Sequence, residues 1–301
     1  MLCQLVIAHI KNTIMKLIIL TCYFLLIIAP GFGQKIKFGK ISSEQWKINK
    51  CSFDSTSNAI IIFDIGNISI KAKNGVKNKD PDCQLQSEFF DLTYKRHIRI
   101  KVLADNGLTS DLLTIYLRSS DNKKDRLTSF KGLLLMQING KEVKRKYKSS
   151  DLLEEISEDG SSEFILDMVD IKAGSIIDIN YTIETNNLTE TPEWNFINDY
   201  PNLYSEINFS IPTFFLSSKK CDLIETLSYE AFHRSVDYGV SYTLNNGWKY
   251  NSYTYTERHE EYSLTNIGAT KELKEMYKLK YIINSIRFLS VQCEKGGYSK
   301  N

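Results

Sequence analysis

The stretch "GSIIDINYTIET" constrains the fold more than any other. From Gly174 to Thr185, Ile177, Ile179, Tyr181 and Ile183 alternate with Asp178, Asn180, Thr182 and Glu184. A two-residue period is the side-chain repeat of a β-strand, and this one describes a strand with one buried and one wet face. The pattern recurs. In "RHIRIKVL" Ile98, Ile100 and Val102 oppose His97, Arg99 and Lys101, and in "SEINFSIP" Ile207, Phe209 and Ile211 oppose Glu206, Asn208 and Ser210. Half-buried strands of this kind suit antiparallel sheets packed face to face.

Short turn signals separate the strands: "DNG" (Asp105 to Gly107), "NGK" (Asn139 to Lys141), "EDG" (Glu158 to Gly160), "KAG" (Lys172 to Gly174) and "NNG" (Asn245 to Gly247). Each offers Gly or Asn where a turn needs positive φ. The expected class is mainly β, an antiparallel β-sandwich, immunoglobulin-like or a larger supersandwich, with one or two short helices. Helices are expected at Ser42 to Ile48 and Thr270 to Lys278. "SSDLLEEISEDG" carries a helix N-cap at Ser149 or Ser150, yet "SEFILDM" follows a turn at Asp159-Gly160, and a hairpin is the expected form. No stretch of helical spacing is long enough for a crossover, which disfavours a parallel α/β fold.

The start of the chain reads differently. Met15-Lys16 precedes an uncharged apolar run from Leu17 to Ile28 and then "APGFGQ". This is the order of a secretory leader, with cleavage expected near Gly33 or Gln34, so residues 15–34 are read as a signal peptide and 1–14 as an over-extended start. A membrane span needs about 20 apolar residues, and backward extension meets Lys16, Asn12, Lys11 and His9. The expected product is 35–301, exported, periplasmic or secreted, without a stable membrane span.

Charge excludes one class of partner. The leader holds Lys11 and Lys16 and no acid, so without it basic and acidic residues balance. Nucleic acid is not an expected partner, because phosphate binding needs clustered Lys and Arg. The densest basic run, "KRKYK" (Lys144 to Lys148), is followed by acidic "DLLEEISED" and reads as a solvated strand end. Outside the leader stand Cys51, Cys83, Cys221 and Cys293, and the spacing fits free thiols or one disulfide.

No catalytic, cofactor or metal site is expected. "HEEYS" at His259 begins like a zinc-protease motif, but Ser263 occupies the place of the second histidine. Cysteine catalysis requires a thiol beside a histidine, and Cys293 lies in a polar tail. His97 falls on the wet face of its strand, and His233 and His259 read as surface residues. "GWKYNSYTYTERHEEY" offers Trp248, Tyr250, Tyr253 and Tyr255 as a candidate ligand surface for a glycan or peptide, although cross-strand aromatic pairs are also ordinary sheet stabilisers.

Several segments in order carry a resemblance: "FGKISSEQW" (Phe38 to Trp46), "NAIIIFDIGN" (Asn58 to Asn67), "RHIRIKVL" (Arg96 to Leu103), "FKGLLLMQINGK" (Phe130 to Lys141), "DIKAGSIIDINYTI" (Asp170 to Ile183), "WNF" with "YP" and "SEINFSIP" (Trp194 to Pro212), and "NIGATKE" (Asn266 to Glu272). Together they resemble the bacterial secreted domain of unknown function that precedes a transglutaminase-like core. The resemblance runs from Lys35 to about Phe288 and implies an exported β-sandwich standing before a papain-like core with a Cys, a His and an Asp. None of those three positions has a counterpart here, and the chain ends where the core would begin. The expectation is therefore a non-catalytic accessory or interaction module, its partner a transglutaminase-like core encoded downstream or another exported protein. The alternative is the N-terminal part of a split or truncated transglutaminase-like enzyme.

Overall fold

The computed structural model describes residues 36–73, 90–105, 107–108, 110–120, 123–168, 171–188, 191–244, 247–269 and 276–286. The chain divides into two compact units, Met1–Lys40 and Ile41–Asn301. Of the first, the described residues form a turn in which Lys40 N–H donates to Lys37 C=O at 3.2 Å. The leader lies outside the described residues, and everything below concerns the second unit.

That unit is mainly β. Its strands are β1 (Ala59–Ala72), β2 (Phe90–Val102), β3 (Thr114–Leu117), β4 (Ser119–Ser120), β5 (Lys123–Lys124), β6 (Arg126–Ile138), β7 (Lys141–Lys148) and β8 (Leu153–Ile156). They continue with β9 (Ser162–Ile165), β10 (Ile176–Thr185), β11 (Trp194–Asn195), β12 (Asn202–Pro212), β13 (Phe215–Lys220), β14 (Ser228–Leu244), β15 (Gly247–Ile267) and β16 (Lys278–Ile286). The main sheet has eight strands in the order β14-β15-β12-β1-β2-β10-β6-β7. Two three-stranded sheets, β11-β16-β13 and β3-β9-β8, supply further core residues in a sandwich-like arrangement.

The alternation read from β10, β12 and β2 is the one observed. Ile177, Ile179, Tyr181, Ile183, Ile207, Phe209, Ile211, Ile98, Ile100 and Val102 belong to one continuous buried cluster on what we call the front face. The expected hairpin after Ser150 is present as β8 and β9, joined through Gly160 at φ 81°. Asn139 and Gly140 both take positive φ, 51° and 75°, and close the β6–β7 hairpin as a two-residue turn. The basic run 144–148 is an exposed edge strand, as its composition implies.

Helix α1 (Ser43–Lys47) forms where expected. Ser42 caps it: Gln45 N–H donates to Ser42 Oγ and Ser42 N–H to Gln45 Oε1, each at 3.3 Å, the reciprocal pattern of a capping box. Residues 270–275 of the second expected helix lie outside the described residues, and Lys278 is already in β16.

Two features depart from expectation. First, β1 pairs with β12 in parallel, Ile61 opposite Asn202 and Ser69 opposite Ser210, so the main sheet is mixed rather than purely antiparallel. Second, the back faces of β2 and β10 are not wet at one end. Arg99, Lys101 and Asp178 are buried there, and His97 is largely enclosed. Asp178 accepts from Arg99 Nη2 at 2.8 Å and pairs with His97 Nε2 at 2.7 Å, while Arg99 Nη1 donates to Gln45 Oε1 at 2.9 Å. Lys101 Nζ donates to Trp46 C=O at 3.1 Å and to Gly174 C=O at 2.7 Å. Helix α1 thus supplies acceptors to Arg99 and Lys101, and together with the Asp178 carboxylate these make the burial tolerable. His97 is a structural partner of Asp178, not a surface residue.

Candidate functional site

The front face carries a cleft with a volume of about 730 Å³. Its floor is Tyr94 and Arg96 of β2 with Tyr181 and Ile183 of β10; one wall runs from Leu112 to Arg118 and the other is the 191–199 segment. Asp64 sits beneath Arg96.

A bulge places that pair. Alternation alone would set Asp64 on the opposite face from Ile61. The register slips between Ile61 and Phe63, so Ile61 faces Ile100 but Asp64 faces Ile98, and both Asp64 and Gly66 turn to the front. Arg96 then grips Asp64 with two parallel bonds, Nε to Oδ1 at 2.8 Å and Nη2 to Oδ2 at 2.6 Å. This fork geometry fixes the guanidinium plane as well as its position. Burial disfavours the charged guanidinium, but the Asp64 carboxylate outweighs it and holds the Arg96 pKa well above its ordinary value.

Trp194 forms the adjoining wall. The Arg96 guanidinium lies 5.6 Å from the centre of its ring, and the indole N–H donates to Ser205 Oγ at 3.2 Å. Gly66 makes room for that ring: a Cβ there would lie 2.6 Å and 2.8 Å from two of its carbons. Tyr94 and Tyr181 meet edge to face with centroids 6.0 Å apart. Burial, then the neighbouring Tyr181, raises the Tyr94 phenol well above its ordinary pKa, so it stays a neutral group. Across the cleft Arg118 donates from Nε and its backbone N–H to Asp125 Oδ2, at 3.0 Å and 3.1 Å. The Asn195 Oδ1 and Asn198 Nδ2 atoms on the 191–199 wall are buried without a hydrogen bond inside the protein.

A second constellation imitates a catalytic triad. Ser210 Oγ lies 2.9 Å from His259 Nδ1, and His259 Nε2 is 3.3 Å from Glu257 Oε2. His259 also stacks on Phe232 with rings 4.6 Å apart, so it is held in place rather than loose on the surface as expected. The backbone around it argues against acyl transfer. Ser210 lies inside β12, which is paired on both sides, with Ser69 and with His259 opposite. The ladder takes up the amides that an oxyanion site would require, so the row reads as a cross-strand polar cluster.

Trp248, Tyr250 and Tyr253 of the expected ligand surface fall on β15, but their side chains lie outside the described residues. The Tyr255 ring packs against Phe214, centroids 5.6 Å apart, at the edge of the core. Cys51 and Cys221 are free thiols, and Cys83 and Cys293 lie outside the described residues. Among the described residues no group of three or more His, Cys, Asp or Glu is placed to hold a metal ion, and no helix is long and apolar enough to cross a membrane.

No family model matches the chain, and no curated protein matches it. Among solved structures it is similar to a "putative protease" from Parabacteroides distasonis ATCC 8503, at 11% identity and a TM-score of 0.45. The match covers 75% of this chain and 40% of the other, so the chain spans about two fifths of that structure's length. No residue role is taken from so distant a likeness.

Proposed function

We propose that this chain is an exported, non-catalytic interaction module whose front cleft binds an extended segment of another exported protein. The observation that carries the reading is the chemistry of the cleft. Arg96 is neutralised by Asp64, Asp125 by Arg118, and Lys280 pairs with Glu193, so most of the lining charge is paired and the walls add oriented dipoles and aromatic surface. Asn195 Oδ1 and Asn198 Nδ2 add one buried acceptor and one buried donor, the complement of a peptide group's N–H and C=O. Concave sites with aromatic walls and a few placed polar groups are where ligands are recognised. The leader-like start at 15–34 and the ordered resemblance to a domain preceding transglutaminase-like cores support export and an accessory role.

Fluorescence anisotropy with labelled casein, an unfolded polypeptide, tests the proposal. The chain should bind casein without releasing acid-soluble fragments, and Asn198→Ala should weaken binding about fivefold or more, the scale of one hydrogen bond to a buried partner. Absence of binding, or cleavage of the probe, would overturn the reading. Preference for an oligosaccharide over casein would replace the peptide with a glycan.

A further inference from the structure

The two edges of the main sheet are built in opposite ways. The β7 edge, "KEVKRKYK", carries Lys141, Lys144, Arg145, Lys146 and Lys148, a concentration of like charge that repels a second strand. The β14 edge has no such defence. It runs for 17 residues, contains no proline, and pairs with β15 without a register break. Tyr229 and Phe232 on it are 53% and 62% exposed. An edge this long and regular offers a row of backbone donors and acceptors to another strand.

Its side-chain pattern specifies which strand. On the back face lie Glu230, Phe232 and Arg234, facing Glu261, His259 and Glu257 of β15. We infer that β14 pairs antiparallel with β14 of a second copy about a two-fold axis at Phe232, joining two main sheets into one. In that register Phe232 faces its own counterpart, and Glu230 of each copy faces Arg234 of the other, so one two-fold operation makes both ion pairs. Isologous contacts require this self-complementarity. The reverse registers do not supply it: an axis at Arg234 sets guanidinium against guanidinium, and one at Ala231 or His233 sets a charge against the Phe232 ring.

The pairing also resolves a mismatch within one chain. Glu230 stands across from Glu261, which neighbours Glu206. Burial, followed by the charges of Glu206 and Glu230, raises the Glu261 carboxyl above its usual pKa. A guanidinium arriving beside Glu230 offsets this crowding. Phe232, already stacked on His259, gains a covered outer side. The inference is independent of the front cleft, which lies on the other face of the sheet.

Sedimentation equilibrium on the full chain and its variants tests it. The parent should dimerise reversibly. Arg234→Glu or Glu230→Arg alone should raise the dimer dissociation constant about tenfold or more, since two favourable cross-strand pairs become two repulsive ones. The double exchange Glu230→Arg with Arg234→Glu should restore association. Phe232→Cys should give an oxidised, disulfide-linked dimer absent from the parent, because directly opposed residues stand about 4.5–5.5 Å apart at Cα. A parent that stays monomeric at its highest soluble concentration would overturn the inference, as would a dimer indifferent to the single reversals or a double exchange that fails to recover.

Discussion

Replacing Gly66 by Ala tests whether the cleft wall rests on the absence of one methyl group. A Cβ at this position would lie 2.5 Å from Ile207 Cδ1 and 2.6 Å and 2.8 Å from two Trp194 ring carbons. Carbon atoms in good contact stand about 3.5–4.0 Å apart, so the ring must retreat by about 1 Å. It has little freedom, because Ser205 holds its N–H and Arg96 lies over its face. Overpacking of a built core costs about 1–3 kcal/mol. Against this, Ala in place of Gly within a strand gains about 0.5–1 kcal/mol from the reduced backbone entropy of the unfolded chain. The two effects have opposite signs, and packing should win by about 1–2 kcal/mol, or a fall of several degrees in Tm for a chain of this size. Urea unfolding followed by tryptophan fluorescence would measure it, with Gly132→Ala as the reference, where the nearest atom to a built Cβ is 3.2 Å away. Casein binding should weaken in parallel. A Gly66→Ala protein more stable than its parent would refute the account of the wall.

The buried back-face pair gives a second expectation. Asp178→Asn leaves Arg99 enclosed without its counter-charge and should cost about 3–5 kcal/mol in chemical denaturation. The same carboxyl sets an acid limit. Burial raises its pKa, but hydrogen bonds from His97 and Arg99 outweigh that and hold it below the usual value. A lowered folded-state pKa contributes stability that is full above the unfolded value of about 3.9 and is lost as pH falls through the folded one. Unfolding free energy should therefore decline on acidification below that value, and Asp178→Asn should flatten the decline. Ser42→Ala removes the cap that helix α1 uses and should cost about 1 kcal/mol, read as a shift in the urea midpoint.

Much of the fold was legible because a period of two needs no tertiary information. The front faces of β10 and β12, the hairpin through Gly160 and the exposed 144–148 edge all follow from local pattern and turn chemistry. What failed was the inference that polar means wet. Arg99 and Asp178 are spaced like solvent-facing residues, but Arg99 is held by α1, more than 50 residues away in the chain, and by the Phe63 ring, and it carries Asp178 with it. Nor could the position of Asp64 be read: the bulge at Ile61 and Phe63 reverses its face, and no glycine or proline marks it. The cleft is assembled from Asp64, Arg96, Trp194 and Asn198, which share no motif. A lone acid inside "IIIFDIG" was the only trace of it.

The parallel neighbours β1 and β12 also govern the order in which the chain can acquire its structure. Ile61 meets Asn202, so an interior strand made early waits for roughly 140 further residues before one of its edges is filled, and closure over such a distance is entropically slow. Until then β1 exposes an apolar ribbon with an open flank. A nascent molecule of this design cannot complete its main sheet until β12 has been made, so that strand acts as the clasp.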